Sequence, residues 1–270
     1  MKTIAITKGL DVPISGMPEQ KIRESNPIRQ VALVGDDYIG MKPSMLVQPG
    51  DKVITGQPLF TDKKIDGVIF TSPGCGTVVG INRGEKRKIE SINIALDGET
   101  SVSFYDPIDR PHGLPAQEIR DILVNSGLWT AFRTRPYGKT PPIGTDPASL
   151  FITVIDTAPL GCDPVVIIRE SQQEFQLGLK ILRQLLSAPI HYCTGAKSLE
   201  PFEDVDGLDY WSFQGPHPAG LPSTHIHFID PVHENKTVWH VAYQDVIGIG
   251  HLFITGQLRT ERIIAMGGSG

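Results

Sequence analysis

The three cysteines, Cys75, Cys162 and Cys193, lie far apart and form no CxxC pair. Neither a disulfide framework nor an iron–sulfur or structural zinc centre is indicated, and the three read as small buried thiols. Long apolar runs are also lacking: the best stretches, around 150–168 and 237–258, are interrupted by Asp156, Asp163, His240 and Asp245. A bilayer-spanning helix needs roughly 18 or more apolar residues in succession, so no transmembrane segment is expected. The opening MKTIAITKGLDVPISG places charges and turn residues where a signal peptide carries an unbroken apolar stretch, which predicts a soluble, cytoplasmic chain. An excess of basic residues is missing too: 25 Lys and Arg stand against 30 Asp and Glu, for a net charge of −5. Nucleic-acid binders usually carry a basic footprint, so nucleic acid is not an expected partner.

With 270 residues, 40% of them hydrophobic, the chain can hold two ordinary domains with real cores. From Ser44 to Arg83 it reads as short strands cut by turns. Val47 leads to Pro49-Gly50-Asp51, Val53 and Ile54 to Gly56-Gln57-Pro58, and Val68-Ile69-Phe70 to Ser72-Pro73-Gly74. Short β-branched and aromatic runs between Gly, Pro and Asp are the mark of tight antiparallel pairing. This pattern resembles the barrel-sandwich hybrid of biotinyl and lipoyl domains, whose hairpin-tip lysine holds a cofactor. The tip here is Asp62-Lys63-Lys64-Ile65-Asp66, without the flanking methionines of biotinyl carriers. Residues 1–43 are read as completing this β domain, and Ile89 to Leu96 as its last strand, which sets a boundary near residue 100.

A different rhythm follows. Pro115 opens a helix with Ile119, Ile122 and Leu123 on one face and Gly127 as its stop. Leu150 to Ile155 is an apolar run of buried-strand length, Ser171 to Glu174 has the form of a capping box, and Phe175, Leu179, Leu182 and Leu186 share a helix face. Ile190 to Cys193 is the next strand. Strand, helix, strand in this order predicts a parallel βαβ unit and an open α/β domain, with ligands beyond the carboxyl ends of the strands. The turn after the first helix, SGLWTAFRTRPYGKTPPIG, contains neither GxGxxG nor GxxxxGK[ST]. Backbone N–H groups approach a phosphate only where no Cβ intervenes, and Trp129, Phe132 and Tyr137 cannot provide that cradle.

The order of motifs, a barrel-sandwich module followed by SGLWTAFRTRPYGKTP, LFITVIDTAPLGCDP, GPHPAGLPSTHIHFIDPV and VWHVAYQDVIGIGHLFITGQLRTERIIAMGG, resembles the A-subunit family of the sodium-translocating NADH:quinone oxidoreductases. More distantly it is similar to the C subunit of the Rnf complex and the flavin-bearing subunit of complex I. Those distant relatives carry a glycine-rich flavin loop where this chain has Trp129 to Tyr137, an acidic segment where it has Asp156-Thr157-Ala158-Pro159, and cysteine clusters that it lacks. The resemblance therefore implies an α+β multidomain chain: a barrel-sandwich hybrid over 1–100, a Rossmann-like α/β domain with a degenerate flavin loop over 101–235, and the start of a further small α/β domain over 236–270. It also implies a peripheral subunit on the cytoplasmic face of the bacterial inner membrane. The partners would be integral membrane subunits and ubiquinone, with NADH, flavins and iron–sulfur centres on the partners and no cofactor or catalytic group here. Sodium export needs membrane-embedded carboxylates, which this chain lacks. Trp129, Phe132, Arg133, Arg135, Tyr137 and Lys139 are the candidate quinone-binding residues, because a quinone wants aromatic faces for its ring and donors for its carbonyl oxygens. The bland alternative has the aromatics refill the vacated flavin cavity and the cations face a partner.

Other residue groups point to other chemistry. His225 and His227, two apart on an expected strand, would share a face and could bind a metal with His217, His233 or Glu234, which would make the chain a metal-dependent enzyme. Lys63 or Lys64 could make it a biotinyl- or lipoyl-like carrier fused to a degenerate α/β domain. Ser223-Thr224-His225 lacks the strand-turn-helix setting of a hydrolase nucleophile. Asp36, Asp37 and Tyr38, after the strand VALVG, form a loop that could meet a ligand or partner.

Overall fold

A computed structural model describes residues 1–106, 113–196 and 205–268. The chain divides into two compact units. One comprises Met1–Arg23, Asp146–Gly250 and Glu261–Gly270; the other comprises Glu24–Thr145 and His251–Thr260.

The second of these is the β module. One antiparallel sheet runs in the spatial order Gln30–Val34, Ile89–Gly98, Cys75–Arg83, Lys52–Val53, and another in the order Pro43–Met45, Pro58–Asp62, Ile69–Thr71. Between the turns, the strands bury Val53, Leu59, Phe60, Phe70, Val78, Ile92 and Ile94. Phe60 and Phe70 stack with centroids 4.4 Å apart. The barrel-sandwich hybrid expected from the turn pattern is the architecture observed. The helix Ala116–Asn125 belongs to this unit and buries Ile119, Ile122, Leu123 and Val124.

In the α/β unit five strands lie parallel in the order Lys2–Ala5, Leu208–Gln214, Ile190–Thr194, Leu150–Val154, Val238–Ala242. All five residues of Leu150–Val154 and of Ile190–Thr194 are buried, as strands covered on both faces should be. Helices Pro164–Glu170 and Gln172–Leu185 join these two strands, giving the predicted βαβ unit. Two features extend past the boundaries read in the sequence. Lys2–Ala5, read there as part of the β module, pairs instead with Trp211 to Gln214, because its short alternation fits any sheet edge and only the fold chooses which. Val238–Ala242, placed beyond residue 235, pairs with Leu150 to Thr153 and so continues the same sheet.

His225 and His227 lie on the helix Pro222–Ile229, which corrects the expectation of a strand. Pro222 occupies the first helical turn, where its missing N–H and fixed φ favour a start. Two residues apart on a helix is about 200° of rotation, so the rings part company. His225 is wholly buried, 4.2 Å from the Phe213 ring centroid, and its Nε2 contacts the Ala219 carbonyl at 2.8 Å. His227, His233 and Glu234 are exposed. Burial pulls the His225 pKa down to about 4, against the opposing pull of the Ala219 carbonyl.

The helix Gln172–Leu185 meets the helix Tyr243–Thr255 at backbone distance. A Cβ on Gly250 would come 1.7 Å from the Glu174 carbonyl oxygen, and one on Gly178 would come 2.1 Å from that of Val246. Gly248, two residues earlier, faces open space. Gly250→Ala should therefore destabilise the unit by about 1–3 kcal/mol or more, since neither backbone can yield, while Gly248→Ala should change stability by no more than about 1 kcal/mol, both measured by denaturant unfolding. The neutral His225 gives a pH prediction. The unfolded chain binds a proton near the ordinary pKa of 6.5, whereas the folded chain resists it until about 4. Its contribution should be fully present above pH 6.5 and be lost as pH falls from 6.5 towards 4, by at most about 1.4 kcal/mol per pH unit. The difference in unfolding free energy between the wild type and His225→Gln, followed over that window, measures it.

Candidate functional site

The helix Ala116–Asn125 stops at Gly127, whose positive φ of 82° turns the chain, and Thr71 of the β module donates its hydroxyl to the Ser126 carbonyl at 2.9 Å. A 3₁₀ turn over Leu128–Ala131 and a short strand, Arg133–Arg135, follow. The candidate loop thus belongs to the β-rich unit. Trp129 and Phe132 are its anchors. Both are fully buried, and their rings meet edge to face 5.3 Å apart. The indole N–H donates to the Pro141 carbonyl at 2.9 Å, and the Arg120 guanidinium lies 5.0 Å from the indole centroid. Nothing in the sequence singled out Arg120; helical periodicity predicts a solvated residue there, and its stacking partner lies beyond the helix.

The remaining four residues lie nearer the surface, and they meet the other loop singled out in the sequence. Arg133 donates to the carbonyl of Asp37 at 3.2 Å and to that of Phe132 at 3.1 Å, and also to the Thr130 carbonyl. Its guanidinium stands 5.3 Å from the ring of Tyr38, which itself packs edge-on against Phe70 at 4.7 Å. A Cβ on Gly138 would lie 3.2 Å from Ile39, and one on Gly40 would lie 3.5 Å from the Lys139 side chain. Residues 37–40 and 133–139 therefore form one surface from segments about a hundred positions apart.

On that surface Tyr137 is 76% exposed, with a φ of 81°. A left-handed backbone is uncommon for an aromatic residue and costs on the order of 1–3 kcal/mol. The turn is held by the Gly138 N–H to the Thr134 carbonyl and the Thr134 N–H to the Lys139 carbonyl, both at 2.8 Å. The Lys139 ammonium lies 5.6 Å from the Tyr137 ring centroid. Arg135 is half-buried, and burial followed by the Arg133 charge lowers its pKa from the usual guanidinium value. The result is an exposed phenol flanked by cations and by the exposed Ile39. Such a face can stack on a flat ring and donate hydrogen bonds to its oxygens.

The other candidates are dispersed. His217 Nδ1 lies 3.0 Å from the Thr157 hydroxyl, which also accepts from the Gly220 N–H at 2.9 Å. Among the described residues no three His, Cys, Asp or Glu side chains converge as metal ligands. Ser223 and Thr224 lie in the first turn of the Pro222–Ile229 helix, with no nucleophile elbow around them. Lys63 and Lys64 are exposed at the hairpin tip, where the buried Asp62 carboxylate accepts from the N–H groups of Lys42 at 3.0 Å and Lys64 at 2.9 Å. Asp36 pairs with Lys88.

Residues 4–97 match the family model of the NqrA N-terminal barrel-sandwich hybrid domain, and residues 114–258 match that of the NqrA second alpha/beta domain. The A subunit of the Na(+)-translocating NADH-quinone reductase of Rhodopirellula baltica is 52% identical over 266 residues, which cover 97% of this chain and 58% of that protein. Its namesake in Pseudomonas aeruginosa is 53% identical over 266 residues, 98% of this chain and 59% of that protein. That of Neisseria meningitidis serogroup A is 50% identical over 268 residues, 98% and 60%. The chain thus spans about three-fifths of the length of these relatives. With one of its domain models covering more than half of the residues and the other most of those before it, the chain belongs to the NqrA family.

Proposed function

We propose that the chain serves as the greater part of the A subunit of a sodium-translocating NADH:quinone reductase. In this reading it is peripheral, docks on integral membrane subunits at the cytoplasmic face, and presents the Tyr137 surface to ubiquinone. NADH oxidation, flavins, iron–sulfur centres and the sodium path belong to the partner subunits, and this chain contributes assembly and quinone access. Family membership supports the first part, as does the lack, among the described residues, of any helix long and apolar enough to cross a membrane. The observation that carries the second is Tyr137. Its ring is held in solvent by a strained backbone that its own packing does not offset, beside Lys139 and near the cations Arg133 and Arg135. Strain kept at an exposed aromatic residue is a mark of a binding surface.

The six candidate residues then divide by role. Trp129 and Phe132 support the loop from below, and Arg133, Arg135, Tyr137 and Lys139 offer the contacts.

Purification of the affinity-tagged full-length protein from mildly solubilised membranes should recover membrane subunits together with NADH-driven quinone reduction; recovery of the tagged protein by itself would sink the proposal. Phe132→Ala should cost about 3–5 kcal/mol of stability, because it opens a cavity in a closed core. Tyr137→Ala should leave stability within about 0.5 kcal/mol and assembly intact, yet weaken quinone-site inhibitors in the assembled complex. Unchanged inhibition in an intact complex would reject the quinone face, and lost assembly would make it an interface with a partner instead.

A further inference from the structure

The longest hairpin of the β-rich unit, Cys75–Arg83 turning into Ile89–Gly98, outruns the sheet that holds it. Gln30–Val34 pairs with it only as far as Ser91, and Lys52–Val53 only as far as Thr77. Residues 83–88 thus form a tip that neither neighbouring strand accompanies. The turn is closed by the Lys88 N–H, which donates to the Glu85 carbonyl at 3.1 Å, and by the Gly84 N–H, which donates to the Lys88 carbonyl at 2.9 Å. Its two central residues, Lys86 and Arg87, have φ of 53° and 61°. This is the two-residue type I′ geometry, which favours Asn-Gly or Gly-Gly because both central residues occupy the left-handed region. A lysine followed by an arginine strains it twice.

Turn chemistry does not account for these two residues; what they share is charge. Arg83, Lys86, Arg87 and Lys88 are all exposed, four cations in six residues beside the single acid Glu85, in a chain whose net charge is −5. Two of the four are already engaged. Arg83 braces the turn by donating to the Arg87 carbonyl at 3.2 Å, and Lys88 pairs with Asp36. The Glu90 carboxylate folds back against Gly84. Lys86 and Arg87 have no acidic partner among the described residues. Strain retained at an exposed pair of cations, where neutral residues would relieve it, is a mark of function.

Such a tip fits a surface of anionic groups. The choice of surface rests on the reading proposed above, a peripheral subunit seated at the cytoplasmic face. Two surfaces lie within reach of a subunit so placed: the cytoplasmic loops of integral membrane proteins and the lipid headgroups between them. Those loops carry an excess of Lys and Arg and repel the tip. Acidic headgroups attract each cation brought near the surface. We infer that the Lys86-Arg87 turn docks on anionic lipid headgroups beside the partner subunits, a second hold on the membrane besides the protein contacts.

Cosedimentation of the full-length protein, purified without its partners, with lipid vesicles tests this. Vesicles of phosphatidylcholine with one-third phosphatidylglycerol should bind it, vesicles of phosphatidylcholine alone should not, and added salt should release it. The double variant Lys86→Asn/Arg87→Gly places the preferred residues in the turn and removes both charges. It should bind the anionic vesicles about thirtyfold more weakly, the worth of two cations at such a surface, and yet unfold at a higher denaturant concentration than the wild type. The exchange Lys86→Arg/Arg87→Lys keeps both charges and should bind as the wild type does. The inference is overturned if the wild type prefers neither vesicle, if the Asn-Gly variant binds the anionic vesicles undiminished, or if that variant is no more stable than the wild type. Loss of the membrane subunits on purification of the variant, with vesicle binding unchanged, would overturn it too and make the tip a protein contact. No partner takes part in the vesicle measurement, so its failure strikes this inference alone, whereas the subunit reading falls on the purification from membranes.

Discussion

The central strand Leu150–Val154 is the constraint on which the α/β unit rests. It is buried along its whole length and hydrogen-bonded in parallel to Ile190–Thr194 on one side and Val238–Ala242 on the other. A parallel neighbour can be reached only by a crossover, so each side needs its own covering helices. The chain passes through Pro164–Glu170 and Gln172–Leu185 to reach one neighbour, and enters the other from Pro222–Ile229. Phe151 sits in the core that results, with Ile226 of the latter helix and Phe213, Cys193 and Val238 of the sheet. Because strand order reverses at this strand, its carboxyl end is the place where such sheets usually receive a ligand. Here the loop that follows is tied to Gln20, and the neighbouring Gln244 to Ile263.

The surface around Tyr137 rests on a different principle, the sorting of one aromatic and basic cluster by burial. Trp129 and Phe132 become core, while Tyr137, a few residues on, is exposed on a turn closed by the Thr134, Gly138 and Lys139 backbone. Arg133 is the hinge of the arrangement. By bonding the Asp37 carbonyl and standing over Tyr38 it joins two loops. Within this cluster Trp129 and Phe132 are buried and Tyr137 is exposed, so the ligand contact proposed above falls to Tyr137 and the cations near it.

Much of the fold was legible. Turn chemistry between short β-branched runs marked the barrel-sandwich module, and the LFITV run, the spacing of Phe175, Leu179 and Leu182, and the next apolar run marked the βαβ unit. The failures have physical reasons. His225 and His227 alternate as strand residues would, yet Pro222 starts a helix, and a segment of eight residues is too short for periodicity to decide. Lys2–Ala5 carries too few apolar residues to name its sheet. The candidate loop was visible as a cluster of residue types, but not which side chains face inward, since that depends on Thr71, Pro141 and Asp37.

The sequence by itself determined most of the longer strands and helices, which residues are apolar enough to form cores, and which glycine motifs are absent, because these follow from local sterics and from the period of side chains along the chain. Tertiary structure alone decided that the first strand joins the α/β sheet, that His225 is a neutral core residue, that Tyr137 is exposed while Trp129 is not, and that Gly268 lies beside Gly16. Each of those depends on contacts between residues dozens to hundreds of positions apart, where the loss of chain entropy is offset only by burial and hydrogen bonds formed together.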